Sequence, residues 1–148
     1  MKVNSFNMGL GNSILSVLPN IQTPMIALLN SDDLFHAERL AQCREMLLSS
    51  PEMQMVATDI CLVDAEGGCL TADNVSRFRD GRKIYHWVRW FEETKSARNE
   101  PLSFIRLLKY NFLITSSNIM CKTDYLRDHS EAIKDLRYCL DWQLFLDA

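Results

Sequence analysis

The sequence has little that would tie the chain to a membrane, a disulfide framework or a nucleic acid. Its longest apolar runs are short, Met25 to Leu29 among them, whereas a spanning helix needs about 20 apolar residues in succession. The opening MKVNSFNMGLGNS carries one lysine and no apolar core, so no secretory signal is predicted. Cysteine occurs five times, at Cys43, Cys61, Cys69, Cys121 and Cys139, with no CxxC pair. An odd count without paired spacing predicts reduced thiols in a cytoplasmic protein rather than a disulfide scaffold. Histidine is scarce and scattered at His36, His86 and His129, so no zinc site is expected. A net charge of -3 and the lack of a basic face, Arg77 to Arg89 included, disfavour nucleic acid as a partner, and none is expected. Repeats, low-complexity tracts and Pro/Gly/Ser linkers are absent, which predicts one domain over residues 1–148.

What is present is an ordinary globular mixture, 47% apolar and 24% charged, long enough to bury a core. Met25 to Leu29 is apolar at every position, the pattern of a strand covered on both faces as in a parallel sheet. It stops at Asn30-Ser31-Asp32-Asp33, a polar loop. Leu40, Cys43 and Leu47 then repeat at helical spacing, predicting a helix over 37–49 that Pro51 closes. A second strand is predicted over 55–63, followed by a tight turn at Asp64 to Gly68. Strand, helix, strand is the order of an α/β sheet. Further on, Tyr85 to Glu93 reads as a helix, and Pro101 opens another with Phe104, Ile105 and Leu108 on one stripe. Residues 111–122 read as a loop entering a short strand, and 141–148 as the start of a helix.

Chemistry concentrates in three places. Asp32 and Asp33 follow the carboxyl end of the first strand, where ligands of open α/β sheets sit. Adjacent carboxylates there suit a hard divalent cation and the phosphate oxygens it would bind, though the same pair also suits a turn and a helix start. Asp141, beside Trp142, is a candidate general base and equally a candidate helix cap. Thr115-Ser116-Ser117-Asn118 offers hydroxyls and amides to a polar ligand, or to its own backbone. Trp87 and Trp90 with Arg89 can stack on a sugar or base, or pack internally. Gly9-Leu10-Gly11 is a lone GxG and carries no assignment.

In their order along the chain, these segments resemble the inverting family-two glycosyltransferases of the GT-A fold. The likeness begins at Asn7-Met8-Gly9 and is strongest over MIALLNSDDLFHAERL, residues 25–40. It continues through VATDICLVDAEG at 56–67, returns at 111–120, and ends at Leu140-Asp141-Trp142-Gln143-Leu144-Phe145-Leu146. The resemblance implies an α/β domain, a mixed, mostly parallel sheet flanked by helices, as part of a GT-A nucleotide-diphospho-sugar transferase fold. It implies Asp32 as ligand to Mn²⁺ or Mg²⁺ with Asp33 beside it at the nucleotide-sugar site. It implies Asp141 as catalytic base, and Thr115, Ser116, Ser117, Asn118 and Trp142 on the acceptor side. The reaction implied moves a sugar from a nucleotide-diphosphate donor to a hydroxyl of a glycan, lipid or protein, with inversion. Asn30 replaces the first aspartate of the family's DxD pattern, and Leu140 replaces the usual Glu or His before the base. The family's strands before Asn7 have no counterpart, and the Asp141 helix is short. Those departures predict an unpaired sheet edge prone to self-association, and keep a non-catalytic remnant or binding module as the competing reading.

Overall fold

The apolar runs Met25–Ala27 and Met55–Ala57 form strands β1 and β2, and Ile119–Lys122 forms β3. The computed structural model describes residues 5–77, 81–95, 104–109, 111, 113–134, 136 and 138–148. The helices in chain order are α1 (Gly9–Val17), α2 (Arg39–Ser49), α3 (Gly81–Glu93), α4 (Phe104–Lys109), α5 (Thr123–Asp128), α6 (Ser130–Ile133) and α7 (Leu140–Leu146). The chain divides into two compact units, one of Met1–Thr58 with Phe104–Ala148, the other of Asp59–Ser103.

In the larger unit the strands run in the order β1-β3-β2, and β3 is antiparallel to both neighbours. The expectation of a mostly parallel sheet is therefore corrected: this is one three-stranded antiparallel sheet, a poor fit to the GT-A fold. The physical reason lies in what an unbroken apolar run reports. Met55, Ile119 and Cys121, with Ile26 and Leu28, face one core. Val56 and Met120, with Met25 and Ala27, face the other, where Cys43 and Leu47 of α2 cover them. Residues alternate between two covered faces, so every position must be apolar whichever way the strands run. Strand direction was never encoded in that pattern.

Element bounds moved for local reasons. β2 ends at Ala57 because the next residue, Thr58, gives its N–H (2.9 Å) and hydroxyl (2.8 Å) to Asn118 Oδ1 rather than to a strand. On α2, Cys43 and Leu47 are buried, but Leu40 is exposed and Arg39 takes the inward place one turn below Cys43. The predicted stripe of Phe104, Ile105 and Leu108 is exposed, and Leu107 is the residue of α4 that turns inward. Pro101 lies outside the described residues. The remaining core is Ile14 and Leu18 of the N-terminal segment against Tyr125, Leu126, Ile133, Leu140 and Leu144.

Two features of this core carry predictions. Arg39 is 7% exposed. Its Cζ sits 4.3 Å over the Phe35 ring, and Nε donates to Thr58 Oγ1 at 3.3 Å. Nη1 and Nη2 are buried with no hydrogen-bond partner. Burial accordingly pushes the guanidinium below its ordinary pKa. Arg39→Met keeps the aliphatic volume and removes the unpaired cation, so urea unfolding is expected to show a gain of about 1–2 kcal/mol. A loss of stability would mean the charge has a partner.

The second feature is alkaline sensitivity. Burial pushes the Cys121 thiol up to about 12 from 9.0, and raises the Tyr125 phenol above 10.0. Tyr125 also donates its hydroxyl to the Leu144 carbonyl at 2.6 Å. The folded chain keeps protons that the unfolded chain sheds, so this stability is whole below about pH 9 and declines as pH rises toward 12. Denaturation midpoints measured from pH 8 upward are expected to fall, the unfolding free energy losing about 1.4 kcal/mol per pH unit for each group once it ionises in the unfolded chain. Flat midpoints across that range would contradict the burial of both groups.

The smaller unit is a hairpin followed by α3. Asp64 N–H bonds the Gly68 carbonyl at 2.9 Å, and Asp64 Oδ1 accepts from the N–H groups of Glu66 and Gly68. Gly67 takes φ +84°, a left-handed turn residue. Val88 and Phe91 of α3 are buried, as is Val75 in the short turn that α3 packs on. Among the described residues of the whole chain, no helix is long and apolar enough to cross a membrane.

Candidate functional site

The loop after β1 is organised by Asn30, the residue that departs from the acidic pattern. Its N–H donates to Ser117 Oγ at 2.7 Å. Its Nδ2 donates to Thr115 Oγ1 at 2.9 Å and to Asp33 Oδ2 at 3.3 Å, and its Oδ1 accepts from Ser116 Oγ at 3.1 Å. Thr115 Oγ1 in turn donates to Asp33 Oδ2 at 3.0 Å. An aspartate at position 30 would have no donors to give and would face the Asp33 carboxylate directly. The neutral amide instead ties the acidic loop to the Thr115–Asn118 cluster, segments 82 to 87 residues apart in sequence.

Beside this network is a cavity of about 260 Å³, whose lining includes Asn30, Thr115 and Ser116 together with Asp141 at the start of α7. Leu10, Ile114, Leu136, Tyr138, Cys139 and Leu140 complete the lining. Two lining residues are the non-glycine positions with positive φ among the described residues, Ile114 at 65° and Cys139 at 60°. Ile114 is spanned by a bond from Thr115 N–H to the Leu113 carbonyl at 2.7 Å. For a β-branched residue this is a strained conformation, of the kind that persists where the surroundings enforce it and that gathers at functional sites.

Asp141 is 9% exposed. It does not cap α7; Cys139 holds the cap position without a side-chain bond. Asp141 Oδ1 accepts from the Trp142 N–H at 2.9 Å. Trp142 itself is committed elsewhere, donating Nε1–H to the Leu107 carbonyl at 2.6 Å and so fastening α7 to α4.

Of the residues expected from sequence, Thr115, Ser116 and Asp141 meet at the cavity. Asp33 is one hydrogen bond away, through Thr115 and Asn30. Asp32 is exposed in the turn, and Ser117, Asn118 and Trp142 do not line the cavity. Ser117 and Asn118 are buried, and their side chains serve the Asn30 and Thr58 backbones. Trp87 stacks on Phe91 at 5.9 Å and Arg89 pairs with Glu93 at 2.7 Å, both within the smaller unit. Leu10, Ile114, Tyr138 and Cys139 were beyond sequence reasoning, since no spacing links them. Asn30 had a signal, its place at the strand end.

As a metal site, the loop offers the Asp32 carboxylate and what Asp33 retains beyond its two hydrogen bonds. No three His, Cys, Asp or Glu side chains converge among the described residues. The donor set is nonetheless of the type Mg²⁺ takes, one or two carboxylates with phosphate oxygens and water making up the rest. Neither a protein-family model nor a curated protein nor a solved structure matches the chain.

Proposed function

We propose that the chain is a glycosyltransferase-like protein of the inverting, family-two kind, moving a sugar from a nucleotide-diphosphate donor to an acceptor hydroxyl in a cytoplasmic setting. The observation that carries the reading is the meeting of Asn30, Thr115, Ser116 and Asp141 around one cavity. A nearly buried carboxylate that shares a cavity with hydroxyls and an amide can orient a polar acceptor and take the proton of its attacking hydroxyl. At about 260 Å³ the cavity falls below the roughly 300–1,000 Å³ of whole-ligand pockets and suits a single sugar-sized group. It is therefore the acceptor side, on a glycan, lipid or protein. Asp32 and Asp33, at the adjoining loop, would hold Mn²⁺ or Mg²⁺ with the donor. Such an ion would offset charge on the departing diphosphate.

One observation favours a second reading, binding without turnover: Asp33 Oδ2 is already engaged by Asn30 and Thr115, and Asp32 stands apart from the cavity. Calorimetric titration of the chain with nucleoside-diphosphate sugars and Mn²⁺ separates the two. Transfer requires donor binding that Asp32→Ala weakens, together with acceptor-dependent release of the nucleoside diphosphate. Binding with no release supports the module, and no binding at all removes both.

Self-association belongs to the same proposal. β1 and β2 each pair on one side only among the described residues, leaving backbone groups of Met25 and Ala27 directed outward. Sedimentation equilibrium is expected to give a mass that grows with concentration. A single monomeric species throughout would dispose of the edge-pairing idea.

A further inference from the structure

Cys61 and Cys69 share one face of the hairpin in the smaller unit. Val63 pairs with Cys69, and Leu70 N–H donates to the Leu62 carbonyl at 2.8 Å. Cys61, two residues before Val63, therefore points to the same face and lies diagonal to Cys69. Their sulfurs are 3.0 Å apart, and both residues are exposed. The Asp64 and Gly68 bonds fix the turn between them, so the pairing is set by local hydrogen bonds. Cys43 and Cys121, by contrast, are each 1% exposed and out of an oxidant's reach.

We propose that Cys61 and Cys69 form an oxidisable dithiol that closes a reversible disulfide across this hairpin, with a low-molecular-weight disulfide as the oxidant. One cysteine thiolate attacks a sulfur of the oxidant, whose S–S bond breaks and releases one small thiol. The second cysteine thiolate then attacks the protein sulfur of the mixed disulfide, the bond between residues 61 and 69 forms, and the second small thiol leaves. Two electrons pass from the cysteine sulfurs to the oxidant, and the two cysteine protons end on the released thiols. The step is independent of the sugar-transfer reading, since both sulfurs lie outside the unit that holds the cavity.

The test equilibrates the whole chain with buffers of oxidised and reduced glutathione, alkylates the remaining thiols, and digests after glutamate. Cleavage after Glu66 separates the two cysteines, so their fragments stay joined before reduction only if the bond has formed. The native chain is expected to give joined fragments with both cysteines unalkylated, and Cys61→Ser or Cys69→Ser to give none. The equilibrium constant against glutathione is expected to be at least about tenfold larger in the native chain than in guanidinium. Alkylation of both cysteines in oxidising buffer, a bond from either one to Cys139, or equal constants in native and denatured chains would each overturn the proposal.

Discussion

Under the proposed transferase function, Asp141→Asn is expected to slow sugar transfer by about 10²–10⁴-fold, the usual contribution of a positioned general base, while leaving the fold unchanged. The geometry makes the substitution clean. Asp141 Oδ1 accepts the Trp142 N–H, and an asparagine oxygen accepts it equally well. The side chain is nearly buried, and the isosteric amide neither opens a cavity nor adds bulk. What disappears is the carboxylate that the proposed function uses as a base. The loss should therefore fall on kcat, with the acceptor KM nearly constant, and the thermal midpoint should match that of the parent. Transfer that proceeds at the parental rate would remove Asp141 from the chemistry. A fall in both kcat and midpoint would assign it a merely structural part, as the residue that steadies the first turn of α7.

Gly11→Ala is expected to destabilise the chain by about 2–3 kcal/mol, against the intrinsic trend. Inside a helix alanine is favoured over glycine by about 1 kcal/mol, and Gly11 is a buried residue within α1. A Cβ there, however, would overlap the Ile133 carbonyl oxygen, where α1 packs on α6. The obstacle is backbone, which cannot rotate aside as a side chain can, so α1 must move away from α6 and strain the core. Leu10 lines the cavity and would move with α1, so the same variant should also weaken binding of the proposed acceptor. Denaturant unfolding measures the first effect. A gain in stability would mean the two helices do not approach as closely as described.

Gly9 and Gly11 illustrate what a sequence can and cannot carry. As a GxG pair they suggest a phosphate loop too weakly to assign. In the fold they are unrelated: Gly9 supplies φ +79° where α1 begins, and Gly11 supplies the missing side chain at a helix crossing. The first need is local, but the second depends on α6, more than a hundred residues later. Leu40 and Arg39 make the same point. The helical period around Cys43 and Leu47 was legible, yet two adjacent residues compete for the inward place below Cys43. The face that α2 presents to β2 and Thr58 chose the arginine.

The sequence by itself determined the places of β1, α2 and α3 and the start of β2, because apolar period and turn chemistry are properties of short stretches; the end of β2 and the helices α5 and α6 were not legible in it. It also determined that Asn30 to Asp33 ends a strand and that Thr115 to Asn118 is a polar cluster able to bond its own backbone. Only the tertiary structure decided that β3 enters between β1 and β2 and runs against both, since a run covered on both faces is apolar in either direction. It alone brought Asn30, Thr115 and Ser116 to one cavity with Asp141. Those contacts join segments separated by most of the chain, and their free energy exists only once the sheet has formed between its two cores.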